Sequence, residues 1–266
     1  MTTRERIRKI LHYEPVDRLP LVHFGFWGET LAKWAGEGHI SEEEARTWGD
    51  GNPVDFVVGP KLGFDCNYQT MFFTNPGLIP PIESKVVEEF PDGSKTMMTG
   101  EGVVVLVKPD AGSIPADVDH LLKDRAAWEE HFLPRLQFHP EKLADAVVRT
   151  GKTMLPFGQG GLEFLKADQR DHPIGLHLGN RIGGIRGWLT MEGMCYLLAD
   201  DEELFTEIVD TVADLDYRYT KLALEAGVKC DFAHFWEDIC FKNGPLVTPR
   251  VFAEKLGPHY RRQTEL

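Results

Sequence analysis

What this sequence lacks excludes a good deal. Its four cysteines, Cys66, Cys195, Cys230 and Cys240, stand far apart with no C-x-x-C pair. That spacing favours a reducing cytoplasm over a disulfide framework. No apolar run reaches the roughly 18 residues of a membrane span, and the N-terminal M-T-T-R-E-R-I-R-K-I has no apolar signal core. G-x-G-x-x-G and G-x-x-x-x-G-K-[ST] are both missing, and so is the G-x-S-x-G nucleophile elbow. No H-x-C, H-x-x-x-H or C-x-x-C pairing marks a metal site. Positive charge is also short: 29 Lys and Arg against 42 Asp and Glu leave a net charge of -13. An acidic chain of this kind is a poor ligand for nucleic acid or an anionic membrane.

What is present fits a globular α/β protein. The 266 residues are 42% apolar and 27% charged, enough for two average domains or one barrel-sized α/β domain. Thr2 and Glu5 have capping-box spacing ahead of Ile7, Ile10 and Leu11, predicting a first helix that ends before Pro15. Leu19–Trp27 reads as a buried strand. Short helices are expected around Thr30–Trp34 and Ser41–Trp48, the second opened by Ser41-x-x-Glu44. Val54–Val58 and Asp65–Phe73 read as strands. Ser84–Phe90, Lys95–Thr99 and Val103–Lys108 are short strands separated by Pro91-Asp-Gly93 and Gly100-Glu-Gly102, the pattern of an antiparallel insert. Asp119–His131 and Pro140–Thr150 look helical.

From Lys152 the rhythm becomes strand, loop, helix. Thr153–Phe157 and Ile174–Leu178 are strand candidates. A glycine-rich stretch, Gly179–Gly187, is read as a loop leading into a helix from about Trp188. A longer helix follows from Asp200 or Asp201 to Ala226, with Gly227 as its expected C-cap. The stretch Cys230–Asn243 reads as a strand ending in the adjacent acids Glu237 and Asp238. A last helix starts at Pro249. Only four or five βα units are legible, fewer than the eight of a closed barrel.

In parallel α/β proteins ligands gather at the carboxyl ends of strands, which nominates a set of site residues. Glu237 and Asp238 are candidate catalytic acids; the competing reading makes one of them a loop cap. His23, His177, Arg186, Trp236 and Asn243 are candidate substrate contacts. Arg186 could clamp a carboxylate, whereas Arg181 is weighted toward pairing with a surface acid. His234 is weighted toward a core histidine. Phe24, Phe26, Trp27, Phe72 and Phe73 are expected in core and pocket wall.

Three stretches taken in order resemble the uroporphyrinogen decarboxylase superfamily. They are T-T-R-E-R-I-R-K-I-L-H-Y-E-P-V-D-R-L-P at the start, G-G-I-R-G-W-L-T-M-E-G-M-C-Y-L-L-A-D-D-E-E-L-F-T-E-I-V-D in the middle, and W-E-D-I-C-F-K-N-G-P-L-V-T-P-R-V-F-A-E-K-L-G-P-H-Y after Phe235. The resemblance implies a TIM (β/α)8 barrel with N-terminal helices and a hairpin insert near residues 84–108. It also implies a single domain over 1–266, incomplete at its C-terminus. The family includes a cofactor-free tetrapyrrole decarboxylase and corrinoid-dependent methyltransferases that use zinc. The decarboxylase signature R-Q-A-G-R is absent, since L-V-H-F-G-F-W-G-E-T follows Pro20, and its arginine ligands cannot be carried over. The resemblance therefore points to the methyltransferase-like branch, acting on a small methylated substrate. A corrinoid (cobalamin) would be carried by a partner protein, and no cofactor is expected within the chain. Zinc ligands of the family type would lie beyond Leu266. The alternatives are the carboxy-lyase itself and an inactive fragment or binding protein.

Overall fold

A computed structural model describes residues 1–109, 112 and 114–266. In chain order the elements are α1 (Thr3–Leu11), β1 (Val22–His23), α2 (Gly28–Gly36), α3 (Glu42–Thr47), α4 (Asp55–Lys61), β2 (Cys66–Asn67) and β3 (Met71–Phe73). The strands β4 (Lys85–Glu89), β5 (Lys95–Met98), β6 (Val103–Val107) and β7 (Ala116–His120) follow, then α5 (Arg125–Ala127). Next come β8 (Val147–Arg149), β9 (Met154–Pro156), α6 (Leu162–Ala167), β10 (Gly175–His177), α7 (Arg181–Asp200) and α8 (Glu202–Glu225). The chain closes with β11 (Phe232–His234), β12 (Cys240–Phe241), β13 (Gly244–Pro245), α9 (Pro249–Val251) and α10 (Gly257–Thr264).

Local chemistry sets several boundaries as expected. The Thr2 hydroxyl accepts the Glu5 N–H while the Glu5 carboxylate accepts the Thr2 N–H, a complete capping box, and Ser41 with Glu44 repeats it at α3. Gly227, at φ +95°, ends the long helix α8.

Other expectations are corrected. Val54–Val58 is no strand; it leads into α4, because the Asn52 side chain accepts the Asp55 N–H at 2.9 Å and starts a helix there. Such a short apolar run has no period long enough to separate strand from helix. The front of Asp119–His131 belongs to β7, a fourth strand in the insert, and helix begins only at Arg125. Pro140–Thr150 divides into a 3₁₀ segment, Pro140–Asp145, and the strand β8. Most of the glycine stretch lies inside α7, which starts at Arg181 rather than at Trp188. Within Cys230–Asn243 the strand β11 stops at His234, short of the two acids, and a small antiparallel hairpin, β12–β13, follows them.

The chain forms two compact units. The first comprises Met1–Thr74, Glu141–His177 and Leu222–His234; the second comprises Asn75–Pro140, Leu178–Lys221 and Phe235–Leu266.

In the first unit β1 pairs with β2 in parallel, and β10 lies between β3 and β11, also in parallel. A βα chain makes parallel ladders because each crossover returns the next strand in the same direction. The β8–β9 pair is antiparallel. Leu31, Ile40 and Val58 form a buried cluster under Phe26, Trp34 and Trp48. A charged knot ties the N-terminal helix to the strand entries. Asp231, 1% exposed in its side chain, takes Arg4 at 2.8 Å and Arg170 at 3.1 Å. Burial pushes the Asp231 carboxyl up, but its bonds to Arg4 and to the Ile174 N–H, with Arg170 beside it, hold it below its ordinary value.

In the second unit β4–β5–β6–β7 is an antiparallel meander. Trp128 and Phe132 are fully buried, and the Phe132 ring packs 5.5 Å from that of Trp188. The helix α8 buries Leu204, Phe205, Ile208 and Val209 completely, an apolar stripe at helical spacing. All four cysteines are free thiols. Among the described residues no helix is long and apolar enough to cross a membrane.

Candidate functional site

The candidate residues divide between the two units: His23 and His177 fall in the first, and Arg186, Trp236, Glu237, Asp238 and Asn243 in the second.

In the second unit the acids are already engaged. The Glu237 carboxylate accepts the backbone N–H groups of Arg181 at 2.6 Å, Ile182 at 2.8 Å and Gly183 at 3.1 Å. These are the first N–H groups of α7, which lack partners within the helix and form the positive end of its dipole. A carboxylate there is a cap supplied from elsewhere in the chain, so the loop-cap reading describes Glu237. Asp238 pairs with Arg186, which gives that arginine an acid of its own instead of an open clamp. The Trp236 carbonyl oxygen would lie 3.0 Å from a Cβ at position 183, so glycine there serves close packing. Asn243 is exposed in the turn between β12 and β13.

Beneath Glu237 lies a buried polar network. Arg181, fully buried, donates to the Leu178 carbonyl at 2.7 Å and also to the Gln263 side chain. Its guanidinium is 3.8 Å from Asp216, and Asp216 accepts a 2.7 Å hydrogen bond from Asn75. Burial pushes the Asp216 carboxyl up to about 6, against the pull of Arg181.

The first unit holds the strand-end chemistry. In the parallel register Phe73 pairs with His177, and His177 with His234, at the carboxyl ends of β3, β10 and β11. Register neighbours in a parallel sheet point to the same face, and the ring centroids confirm it: 4.5 Å for Phe73–His177 and 6.0 Å for His177–His234. The Tyr68 ring lies 5.5 Å from His234. Burial lowers the pKa of His234, which keeps its imidazole neutral at neutral pH. The Arg149 guanidinium is 5.5 Å from the Phe73 ring and donates to the carbonyl oxygens of Asp50 at 3.0 Å and Met71 at 3.1 Å.

His23 ends the other ladder, in register with Asn67. It is 6% exposed and stacks on Phe26 at 4.4 Å. Burial lowers its pKa against the pull of Asp55 and Asp50.

His177 is thus the nominated residue that the fold sets among other strand-end groups. His234, read as a core histidine, is its register partner. Tyr68 and Arg149 were missed: the first lies within Asp65–Phe73, read only as a strand, and the second lies in a segment read as helix. Alternation along Val147–Arg149 was the available signal, but three residues are too few to show a period. Among the described residues no group of three or more His, Cys, Asp or Glu could hold a metal ion.

No family model matches the chain, and no curated protein matches it. Among solved structures, a methyltransferase from Methanosarcina mazei is similar at 13% identity with a TM-score of 0.45, the match covering 100% of this chain and 67% of that one.

Proposed function

We propose that this chain is an enzyme of the uroporphyrinogen decarboxylase superfamily, methyltransferase-like branch, acting on a small methylated substrate in the cytoplasm. The fold proposed with it is a (β/α)8-type barrel, to which the parallel ladders would contribute strands. The reading rests on the three sequence stretches and on one structural observation, the Phe73–His177–His234 row at the ends of three adjacent parallel strands. Ligands collect at such strand ends, and aromatic walls with a few polar groups suit a small, largely apolar molecule.

A corrinoid carried by a partner protein would, when bound, supply the nucleophile that takes the methyl group. The rest falls to this chain. As the methyl–heteroatom bond breaks, the heteroatom keeps the bonding pair and needs a hydrogen-bond donor and then a proton. His177 and His234 stand where they could hydrogen-bond that atom and relay a proton from solvent. Phe73 and Tyr68 would limit the access of water. The described donors do not fit zinc, so no step is assigned to a metal. Glu237, as a cap, has no part in the chemistry.

The carboxy-lyase alternative needs cations free to bind several carboxylates, and Arg149 instead spends hydrogen bonds on two backbone carbonyls. The deciding assay offers methoxylated, methylthiol and methylamine donors together with free cob(I)alamin, and follows cobalt methylation by visible absorbance. At least one donor should support turnover, and His177→Phe and His234→Phe should each reduce it at least about tenfold. No turnover across the panel by folded protein would overturn the reading; release of carbon dioxide from uroporphyrinogen would replace it with the alternative.

A further inference from the structure

The antiparallel sheet of the second unit ends on β4, which pairs with β5 on one side only. Every residue of β4 is exposed, with Val86 at 42% and Val87 at 54%. Its outer edge carries unpaired backbone N–H and C=O groups, a template for another strand. Among the described residues no ion pair takes up Lys85 or Glu88.

A bulge decides which side chains of this edge stand together. Lys85 pairs with Met98, Val86 with Met97 and Glu88 with Thr96, so β4 carries one residue more than β5 across this span. Met98 and Thr96 stand two apart in a strand that is regular there, and share a face. Lys85 and Glu88 therefore share that face although they stand three apart. Ser84 and Glu89, next along the chain, share the other. Val86 and Val87 together fill the one ladder position between Lys85 and Glu88.

That arrangement is complementary to itself. Lay a second β4 antiparallel to the first, on a twofold axis through the bulge. Lys85 then faces Glu88 of the second copy, Glu88 faces its Lys85, and the valines of both copies meet between the two pairs. Ser84 falls opposite Glu89, and no acid faces an acid. Opposite charges directly across two strands stabilise the pair, and like charges destabilise it. The neighbouring registers that keep the faces matched are centred on Lys85 or on Glu88, and each sets that residue against its own copy. A lysine, acids and a bulge on an edge turn unmatched strands away. A strand with the complementary charges is accepted, and β4 itself is one.

We propose that two copies of this chain associate through β4, antiparallel about the Val86–Val87 bulge, with a Lys85–Glu88 pair at each end of the contact. So short an edge buries less than the roughly 1,200 Å² of a standard interface, so the dimer is weak and reversible. The formal charge of -13 on each copy opposes approach, and about 0.15 M salt, with a screening length of about 8 Å, removes most of that repulsion. The contact is independent of the methyl-transfer reading.

Sedimentation velocity of the full chain in about 0.15 M salt, over roughly 10–500 µM, reads the outcome. The average mass should climb reversibly from monomer toward dimer. Lys85→Glu sets glutamate against glutamate at both ends, and Glu88→Lys sets lysine against lysine. Each variant alone should associate at least about tenfold more weakly. Mixed in equal amounts, the two variants restore both opposite-charge pairs, and the mixture should dimerise within about threefold of the parent. That recovery also shows both variants to be folded. A parent that stays monomeric to the top concentration, a dimer that neither substitution weakens, or a mixture that fails to recover would each overturn the proposal.

Discussion

Glu237 accepts the backbone N–H of Arg181 at 2.6 Å, across 56 residues of sequence. With the bonds from Ile182 and Gly183 it closes the start of α7. A helix N-terminus attracts an anion whatever its source, and here the chain supplies its own. Glu237→Gln keeps the shape and removes the charge. It should lower unfolding free energy by about 1 kcal/mol, within the roughly 0.5–2 kcal/mol span of lost caps, read as a fall in urea midpoint at unchanged slope. Methyl-transfer activity, once assayed, should survive.

Gly179 takes φ +93°, and a Cβ there would fall within the Asp216 carboxylate. Both the backbone and the space demand glycine. Gly179→Ala should cost upwards of about 2 kcal/mol, and chemical denaturation compared with Gly36→Ala, which has open space around it, would measure the difference.

Asp216 holds a proton more tightly when folded, at about 6 against the ordinary 3.8. Between those values the folded chain is the more protonated, so stability falls as pH rises from about 4 to about 6 and stays reduced above. The gap corresponds to about 3 kcal/mol as an upper figure. Asp216→Asn, which can still accept from Asn75, should therefore stabilise the protein at pH 7.5. The gain should shrink toward zero at pH 4, and equal thermal midpoints for variant and parent at pH 7.5 would contradict this account.

His172 has the opposite sign. Burial lowers its pKa from 6.5 to about 4, so the unfolded chain is the more protonated in between. The stability associated with the neutral ring is present above about pH 6.5 and lost as pH falls toward 4, again by up to about 3 kcal/mol. His172→Phe keeps a ring beside Phe56 and Phe164 and should flatten the acid limb of the first unit. Hydrogen exchange at β10 between pH 7 and pH 5 reports it.

Some of the architecture was legible because it depends on neighbours in sequence. Thr2 with Glu5, and Ser41 with Glu44, make capping boxes from residues three apart, and the apolar stripe of α8 needs only its own 3.6-residue period. The strands around Pro91-Asp-Gly93 and Gly100-Glu-Gly102 are equally local. These features form wherever the segment is placed, so composition and spacing reveal them.

The site needed the fold. Whether Glu237 is an acid or a cap depends on which helix end approaches it, and that end lies over fifty residues away. His177 and His234 meet because β10 and β11 pair in parallel with one particular register; a shift of one residue would turn one ring to the other face. His172 and Asp216 carry shifted pKa values because protein surrounds them, and burial is a property of the tertiary structure alone. Sequence by itself determined α1, α3 and α8, the two capping boxes, the turns of the insert and the acidic, cysteine-poor character of the chain, because these rest on short-range chemistry. Tertiary structure alone decided which carboxylates are spent and which histidines face each other, because those depend on pairing between distant segments.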